Sequence, residues 1–319
     1  MYEHRALIVG AGVAGISAAL WLRDLKVPFD WFERAERIGG TLHCVYNPIM
    51  NLAGDNLADG AALIARLVGQ LGALGLAPTF GAAVLRLRAP AEAGWVEVHS
   101  AVGGEERCAR YGAVLVATGT ARRRLGLDGE QAHVGRGVAV SGSHEKERFA
   151  GRKIVIIGGG DAALENALLL SRHAREVVLA HRSDQFRARP EFVEAVARRP
   201  NVEVRLFTHV LALEGDAGAP FLDAVWMRGA TGEAYREATD GLLARIGVSG
   251  VLPDIRIDGH PPLTSEGNYL VVDHQGRTHH RRVFGIGDCT CPEFRAVAVA
   301  MGQGAMAART AAFLMGHYG

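Results

Sequence analysis

Two glycine-rich turns, about 150 residues apart, constrain the fold of this chain more than any other feature. The first, Gly10–Gly15, reads G-x-G-x-x-G and follows the apolar run Ala6–Val9. The second, Gly158–Ala163, reads G-x-G-x-x-A and follows the apolar run Ile154–Ile157. An apolar segment of helical length comes after each turn. A strand, a glycine turn and a helix in this order open a βαβ unit, so the sequence predicts two doubly wound parallel sheets and not one barrel.

The residues of the first turn have distinct predicted roles. Gly10 makes the tight turn, Gly12 lets a pyrophosphate reach the backbone, and Gly15 lets the helix pack on the strand. Glu33 ends the next predicted strand, where its carboxylate can accept hydrogen bonds from both hydroxyls of a ribose. We therefore predict a dinucleotide on this turn, with its adenosine ribose on Glu33.

The second turn is followed by a strand that ends without an acid. The strand Val177–His181 leads into Arg182, and Arg187 lies a few residues further on. Two arginines can hold the 2′-phosphate of NADPH, which a carboxylate would repel. Ser183 and Asp184 weaken this preference, so NADH stays a possible donor and a solvated basic loop is the alternative reading.

The series of motifs resembles the FAD scaffold of the thioredoxin reductase family. It is carried by the first turn, Glu33, Gly39-Gly40, Ala117-Thr118-Gly119 and Gly287-Asp288, and its order holds from about residue 5 to residue 312. The resemblance implies FAD and NADPH as cofactors and a homodimer. The FAD residues that it implies are Gly10, Gly12, Gly15, Glu33, Gly40, Thr41, Ala117, Thr118, Gly119, Gly287, Asp288, Arg295, Ala296 and Val297. The NADP residues are Gly158, Gly160, Asp161, Ala163, His181, Arg182, Arg187 and Gly247.

The expected fold class is α/β, with two Rossmann-like (doubly wound, βαβ) nucleotide-binding domains, and the NAD(P) domain is inserted in the FAD domain. The expected FAD-binding domain is discontinuous and comprises residues 1–119 and 244–319. The expected NAD(P)-binding domain comprises residues 120–243. Arg245 departs from the family pattern at the return crossover, where its relatives usually have Ala.

The redox-active Cys-x-x-Cys of thioredoxin reductases has no counterpart in this chain. The matching stretch, a little before the second turn, is Ser141-Gly142-Ser143-His144. A serine hydroxyl cannot exchange disulfides, so the family's characteristic reaction is not available there. The chain therefore looks like the thioredoxin-reductase-like ferredoxin–NADP reductases, to which the stretch Phe149–Lys153 is also similar.

Other residues offer alternative chemistry. Cys289 and Cys291 form a Cys-x-Cys after Asp288, Cys44 lies in the loop after Gly39-Gly40, and His144 could donate a proton. These are the candidate catalytic residues of a thiol–disulfide oxidoreductase with relocated cysteines. A non-catalytic flavoprotein redox sensor is a further alternative. No metal site is predicted, since no second ligand pair with suitable spacing appears.

Composition limits the partners. With 22% charged residues and a formal net charge of +1, the chain shows no signature of nucleic-acid binding. Gln303 and Arg309 interrupt the apolar segment Ala296–Met315, so we expect a buried helix and no membrane span. The first predicted strand begins near Arg5, which leaves no room for a signal peptide, so we expect a cytoplasmic protein. The expected activity passes electrons between NADPH and an acceptor through FAD, and the acceptor is a small molecule such as a quinone or oxygen, or a small redox protein such as ferredoxin or flavodoxin.

Overall fold

The computed structural model describes residues 2–317, and the chain forms two compact units. Unit 1 comprises the chain up to Ala121 and again from Ser249 onward, and unit 2 comprises Arg122–Val248. Unit 2 is thus inserted in unit 1. The second boundary lies a few residues beyond residue 244, because Ala244 still pairs with Ile157 in the sheet of unit 2.

Unit 1 is built on one mixed sheet with helices on it. Its first segment contains β1 Tyr2–Val9, α1 Val13–Asp24, β2 Phe29–Phe32, β3 Ile49–Leu52, β4 Asp55–Leu57, α2 Gly60–Ala73, β5 Ala82–Ala89, β6 Val96–Val102, β7 Glu105–Val116 and β8 Thr120–Arg122.

Unit 2 carries the next eleven elements. They are β9 Val138–Ala139, α3 Gly142–Glu145, β10 Lys153–Ile157, α4 Asp161–Leu170, β11 Glu176–Ala180, α5 Pro190–Ala197, β12 Val202–Arg205, β13 His209–Glu214, β14 Ala224–Arg228, β15 Ala234–Ala238 and β16 Gly241–Ala244. The chain then returns to unit 1 through β17 Val248–Gly250, β18 Asp254–Ile257, β19 Thr264–Ser265, β20 Tyr269–Leu270, β21 Val283–Gly285 and α6 Val297–Leu314.

The main sheet of unit 1 has seven strands in the order β18-β5-β6-β7-β1-β2, with β21 also paired to β7. The strands β21, β7, β1 and β2 run parallel, and their carboxyl ends carry the first glycine turn and the segments after β7 and β21. The strands β5, β6 and β7 also form an antiparallel meander, in which the first half of β7 pairs with β6. Apolar side chains are buried on both faces of the sheet.

Unit 2 has a parallel five-stranded sheet in the order β12-β11-β10-β16-β9. The second glycine turn of the chain follows β10, the central strand of this sheet. The separate antiparallel sheet β13-β14-β15, which the sequence patterns did not predict, packs on one face of the parallel sheet through buried apolar residues. Each face of the parallel sheet has its own buried apolar cluster. These sheets agree with the expected α/β class and its two doubly wound units.

Helix α6 is the one helix within residues 2–317 that is long and apolar enough to span a membrane, judged by length and composition only. One side of α6 packs on α1. A Cβ added at Gly304 would lie 2.4 Å from the carbonyl oxygen of Ala14, so glycine permits this close approach. The expected buried helix is buried on that side alone, because Met306 and Phe313 are exposed.

Candidate functional site

The first glycine turn leaves open space at the start of α1. Gly10 has φ +108°, and a Cβ there would lie 2.5 Å from the carbonyl oxygen of Ala117. A Cβ at Gly15 would lie 2.0 Å from the carbonyl oxygen of Gly10. A Cβ at Gly12, in contrast, meets no atom within 4 Å, and no side chain caps the helix that starts there. The free N–H groups and the helix dipole therefore face room that suits a phosphate group.

Glu33 lies against this turn. Its carboxylate accepts hydrogen bonds from the backbone N–H groups of Ala11, at 2.6 Å, and Ala35, at 2.8 Å. These two bonds fix the side chain beside the turn. A carboxylate offers about four acceptor positions, so Glu33 retains capacity for hydroxyl groups of a ligand.

The other predicted segments of unit 1 converge on the same turn. A Cβ at Gly40, which has φ +52°, would lie 3.4 Å from the Cα of Gly12. Ala117 packs on Gly10, and the hydroxyl of Thr118 donates to the carbonyl oxygen of Val251. Of the other positions in the predicted set, Thr41 is exposed, and Gly119 has a left-handed conformation with φ +66°.

The segment after β21 closes the site from the side of α6. Gly287 has φ +74°, and a Cβ there would lie 2.7 Å from the Cβ of Ala14 on α1. Burial raises the pKa of the half-buried Asp288 carboxyl, while Arg295 acts in the opposite direction. Helix α6 follows with Ala296 at its N-cap and no side-chain cap, whereas the exposed Arg295 donates to the carbonyl oxygen of Pro292.

The second glycine turn repeats this geometry in unit 2. A Cβ at Gly158 would lie 2.3 Å from the carbonyl oxygen of Arg245 and 2.9 Å from the Cβ of Ala163. A Cβ at Gly160 meets no atom within 4 Å. Asp161 opens α4 and is held by Arg189, whose Nε donates to its carboxylate at 2.9 Å. Each turn thus has a glycine with open space at its Cβ position: Gly12 in the first turn and Gly160 in the second.

The loop after β11 is docked on the second turn. The buried ring of His181 lies under Gly159, where a Cβ would be 2.3 Å from the ring, and it stacks on Phe186 with the ring centroids 5.6 Å apart. The backbone N–H of Arg187 donates to the carbonyl oxygen of Gly159 at 2.7 Å. Burial lowers the pKa of His181, a change that Arg187 and Arg182 reinforce and that the bond to the carbonyl oxygen of Gln185 opposes. The ring of His181 therefore packs against the second turn at Gly159.

A cavity beside this loop brings in residues that sequence reasoning missed. It has a volume of about 440 Å³ and is lined by Arg182, Phe207, His209, Arg228, Gly229 and Ala230. His209 and Arg228 are cross-strand partners in the β13–β14 ladder. The lining has two guanidinium groups, an imidazole and an aromatic ring, with no carboxylate. The cavity opens past the ends of β11 and β12, the edge where a doubly wound sheet binds the adenosine part of a nucleotide.

Of the residues predicted for NADP, only Arg182 lines that cavity. Arg187 is exposed, and Gly247 has φ +97° with open space at its Cβ position.

Arg245, which departs from the family pattern, links two backbone segments by hydrogen bonds. Its guanidinium donates to the carbonyl oxygens of Val140, at 3.1 Å, and Ala244, at 3.0 Å.

The stretch that replaces the dithiol forms an ordinary helix start. Ser141 is the N-cap of α3, and its Oγ accepts from the N–H of His144 at 3.4 Å. The Glu145 carboxylate accepts from the N–H groups of Val140, at 2.7 Å, and Ser141, at 3.0 Å. A Cβ at Gly142 would lie 2.2 Å from the side-chain oxygen of Asn166, so this segment is tightly packed. His144 is exposed.

The candidate cysteines are free thiols in different settings. Cys289 is fully buried, and its Sγ donates to the carbonyl oxygens of Val116, at 3.4 Å, and Ile286, at 3.3 Å. Burial raises the pKa of Cys289 to about 11. The Sγ of Cys291 instead accepts from the side-chain amide of Gln303 at 3.2 Å. Cys44 is exposed at the end of a 3₁₀ turn, Gly40–Cys44.

Comparison with known proteins extends these observations. A family model described as pyridine nucleotide-disulphide oxidoreductase matches residues 4–304. The thioredoxin reductase of Treponema pallidum is 34% identical over 62% of this chain and 63% of that protein. The ferredoxin–NADP reductase of Paramagnetospirillum magneticum is 33% identical over 91% of this chain and 86% of that protein. Lactococcus lactis thioredoxin reductase, a solved structure, has the same fold with a TM-score of 0.77 and 24% identity, over 98% of this chain and 99% of that one.

Proposed function

The chain belongs to the pyridine nucleotide-disulphide oxidoreductase family and is a thioredoxin reductase-like oxidoreductase, and from that premise we propose that it passes electrons from NADPH through FAD to an acceptor that is not a disulfide. The observation that carries the proposal is the pair of open glycine turns in two separate units, combined with a capped helix start at the position of the family's dithiol. The expected fold class and the resemblance to thioredoxin reductases are confirmed.

The residues of unit 1 fit FAD. The open position at Gly12 and the uncapped start of α1 provide donors and room for the pyrophosphate. Glu33 is held beside the turn by two backbone bonds, ready to orient the ribose. The uncapped start of α6 favours negative charge near its first turn. When bound, FAD would supply two-electron redox chemistry between the nicotinamide and the acceptor.

The residues of unit 2 fit NADPH. The open position at Gly160 repeats that of Gly12, and the cavity of Arg182, His209 and Arg228 supplies positive charge for a 2′-phosphate. Phe207 in the same cavity offers a flat apolar face to an adenine ring. Arg228 thereby adds a second guanidinium group to that of Arg182 in this cavity.

The cysteines support an acceptor other than a disulfide. A thiol with a pKa of about 11 is a thiolate in only about one molecule in ten thousand at pH 7, and the thiolate is the form that attacks disulfides. Cys289 is also fully buried. The acceptors compatible with these features are small molecules, such as quinones or oxygen, and small redox proteins, such as ferredoxin or flavodoxin.

An anaerobic titration tests the proposal. Dithionite or NADPH should deliver two electrons per FAD, because neither Ser141 nor His144 forms a reducible pair. Reduction of thioredoxin should be negligible for the same reason. The measurement is the flavin absorbance against equivalents added, for the natural chain and for Cys289→Ser, with Cys108→Ser, an exposed thiol outside the candidate set, as the matched control.

The outcome separates the candidate functions. Two-electron uptake that all three proteins share supports a flavin reductase without a dithiol. Uptake of four electrons that falls to two in Cys289→Ser overturns the proposal in favour of relocated cysteines. A flavin that NADPH and NADH both fail to reduce would instead indicate a redox sensor without this activity.

A further inference from the structure

A cluster of three potential metal ligands lies on the antiparallel meander of unit 1, outside every nucleotide motif. His99 on β6 is the direct cross-strand partner of Cys108 on β7. Glu97 precedes His99 by two residues, and side chains two apart on a strand share one face of a sheet. The pairing of β6 with β7 therefore brings together an imidazole, a thiol and a carboxylate that are scattered in the sequence.

The donor atoms of this cluster already have the spacing of a coordination site. The Nε2 of His99 lies 3.1 Å from the Oε1 of Glu97 and 3.8 Å from the Sγ of Cys108. All three donor atoms lie within 4.8 Å of one another. Ligands held tetrahedrally by one zinc ion, at bond lengths of about 2.0–2.3 Å, are about 3.3–3.6 Å apart. The two measured separations, 3.1 Å and 3.8 Å, lie close to that range on either side of it.

The surroundings orient the carboxylate and leave the cluster accessible. Arg110 lies 4.0 Å from the other oxygen of Glu97, Oε2, and its guanidinium stacks on the ring of Trp95 at 3.9 Å. This leaves Oε1 directed to His99, as an outer partner does for a ligating carboxylate. Cys108 is exposed, and the side chains of Glu97 and His99 are 22% and 36% exposed.

The nearby arginines do not have the largest effect on the pKa of the Cys108 thiol. Arg110 and Arg88 lower the pKa of the Cys108 thiol, but burial and then Glu97 raise it more, so the net shift is upward. Arg86, on the adjoining strand β5, is paired with Asp254 at 3.0 Å. Among the charged groups that act on the sulfur, the carboxylate of Glu97 thus has the largest effect, and its negative charge attracts a cation.

We propose that Glu97, His99 and Cys108 bind one Zn²⁺ ion, with water in the fourth position. Sulfur and imidazole nitrogen select a borderline or soft divalent ion over Mg²⁺ or Ca²⁺, which prefer sets of oxygen ligands. Binding replaces the thiol proton of Cys108 by the metal, and that proton passes to the solvent, so no electron is transferred. The bound ion clamps β6 to β7 and shields the thiol from alkylating reagents. The site is independent of the proposed electron transfer.

Calorimetric titration of the metal-free holoprotein with Zn²⁺ tests the proposal. We expect one saturable site per chain. Cys108→Ser, His99→Gln and Glu97→Gln should each weaken Zn²⁺ binding by at least about tenfold, or about 1.4 kcal/mol. Cys44→Ser, which removes an exposed thiol, and Cys291→Ser, which removes a half-buried one, are controls that should leave the affinity unchanged.

A second measurement follows the thiol itself. Zn²⁺ should slow the alkylation of Cys108, identified by peptide mapping, and should leave the alkylation of Cys44 at its original rate. An unchanged flavin content in each variant shows that the fold is intact. The absence of saturable Zn²⁺ binding would overturn the assignment. Binding of full affinity in Cys108→Ser, or loss of binding in Cys44→Ser, would overturn it as well.

Discussion

The three glycines of the first turn differ in what a side chain would meet. Gly10 and Gly15 are surrounded by backbone at contact distance, whereas the space around Gly12 is empty. Gly12 also has φ −75° and ψ −178°, an extended conformation that any residue adopts. We therefore expect the glycine at this position to be needed by the proposed ligand, and those at the other two positions to be needed by the fold.

The variant Gly12→Val tests that distinction. It should abolish the retention of FAD, because its side chain fills the space proposed for the pyrophosphate. The free energy of unfolding of the apoprotein should change by at most about 1 kcal/mol, the scale of an N-cap substitution. The measurements are the flavin absorbance after gel filtration and the melting temperature of the apoprotein. Gly69→Val, in an open and exposed position on α2, should keep its flavin; full flavin in Gly12→Val would refute the assignment.

Charge at the cavity of unit 2 gives a second test on single side chains. Arg182→Ala and Arg228→Ala should each raise the NADPH concentration needed for half-maximal flavin reduction by about ten- to a hundredfold, because each loses a charge-assisted bond worth about 1.5–3 kcal/mol. The response to NADH, which has no 2′-phosphate, should hardly change. Rapid mixing with each nucleotide measures both.

Two further arginines sharpen this comparison. Arg236 lies on the neighbouring strand β15 and is paired with Glu214 at 2.8 Å, away from the cavity, so Arg236→Ala serves as the control. Arg187→Ala asks whether the exposed arginine named by the sequence motif also contributes. Equal losses for NADPH and NADH in Arg228→Ala would rule out a 2′-phosphate in the cavity.

At the scale of an element, the loop 181–187 and the second turn form one packed structure with His181 between them. Because burial lowers its pKa below the ordinary value of 6.5, folded His181 stays neutral where the unfolded chain already binds a proton. Its contribution to stability is present above about pH 6.5 and is lost as the pH falls through the lowered folded pKa.

We therefore expect the melting temperature to decrease on acidification from about pH 6.5 to pH 5, and His181→Gln to flatten part of that decrease. Part of the slope should remain, because burial also lowers the pKa of His280 in unit 1. The exposed His274 offers the control His274→Gln, which should keep the full slope. An unchanged slope in His181→Gln would show that its protonation is not coupled to folding.

The elements that the sequence predicts well are those with a local signal. The strands and helices around both turns agree with the prediction to within a few residues, since apolar runs and glycines mark β1, α1, β10 and α4. The sheet β13–β15 escapes prediction because its strands are only five or six residues long and no glycine turn or other motif marks them. The register between neighbouring strands brings together His209 and Arg228, and no local pattern in the sequence encodes that register. The same holds for the cluster of Glu97, His99 and Cys108.

At the scale of the whole molecule, the inserted unit is continuous in the chain, whereas unit 1 is assembled from two segments. Unit 2 also has apolar clusters on both faces of its sheet that are formed by its own residues alone. A continuous segment with its own core satisfies what independent folding requires.

A fragment of residues 122–248 should accordingly fold alone, bind NADPH and bind no FAD. Its one tryptophan, Trp226, adjoins Met227 and Arg228 on β14 and reports on both folding and ligand. Circular dichroism should show a cooperative transition, and NADPH should shift that transition upward more than NADH does. A fragment without cooperative melting would mean that unit 2 depends on unit 1 for its stability.

The serine cap of α3 also governs the evolutionary routes open to this chain. Exchange of Ser141 for cysteine removes the hydroxyl that accepts from His144, at a cost of about 0.5–2 kcal/mol. A single cysteine at either position gives no disulfide, so each first step is neutral or harmful and only the second brings a benefit. Under the proposed function, this lineage therefore reaches dithiol chemistry only through two exchanges, and the first of them brings no gain by itself.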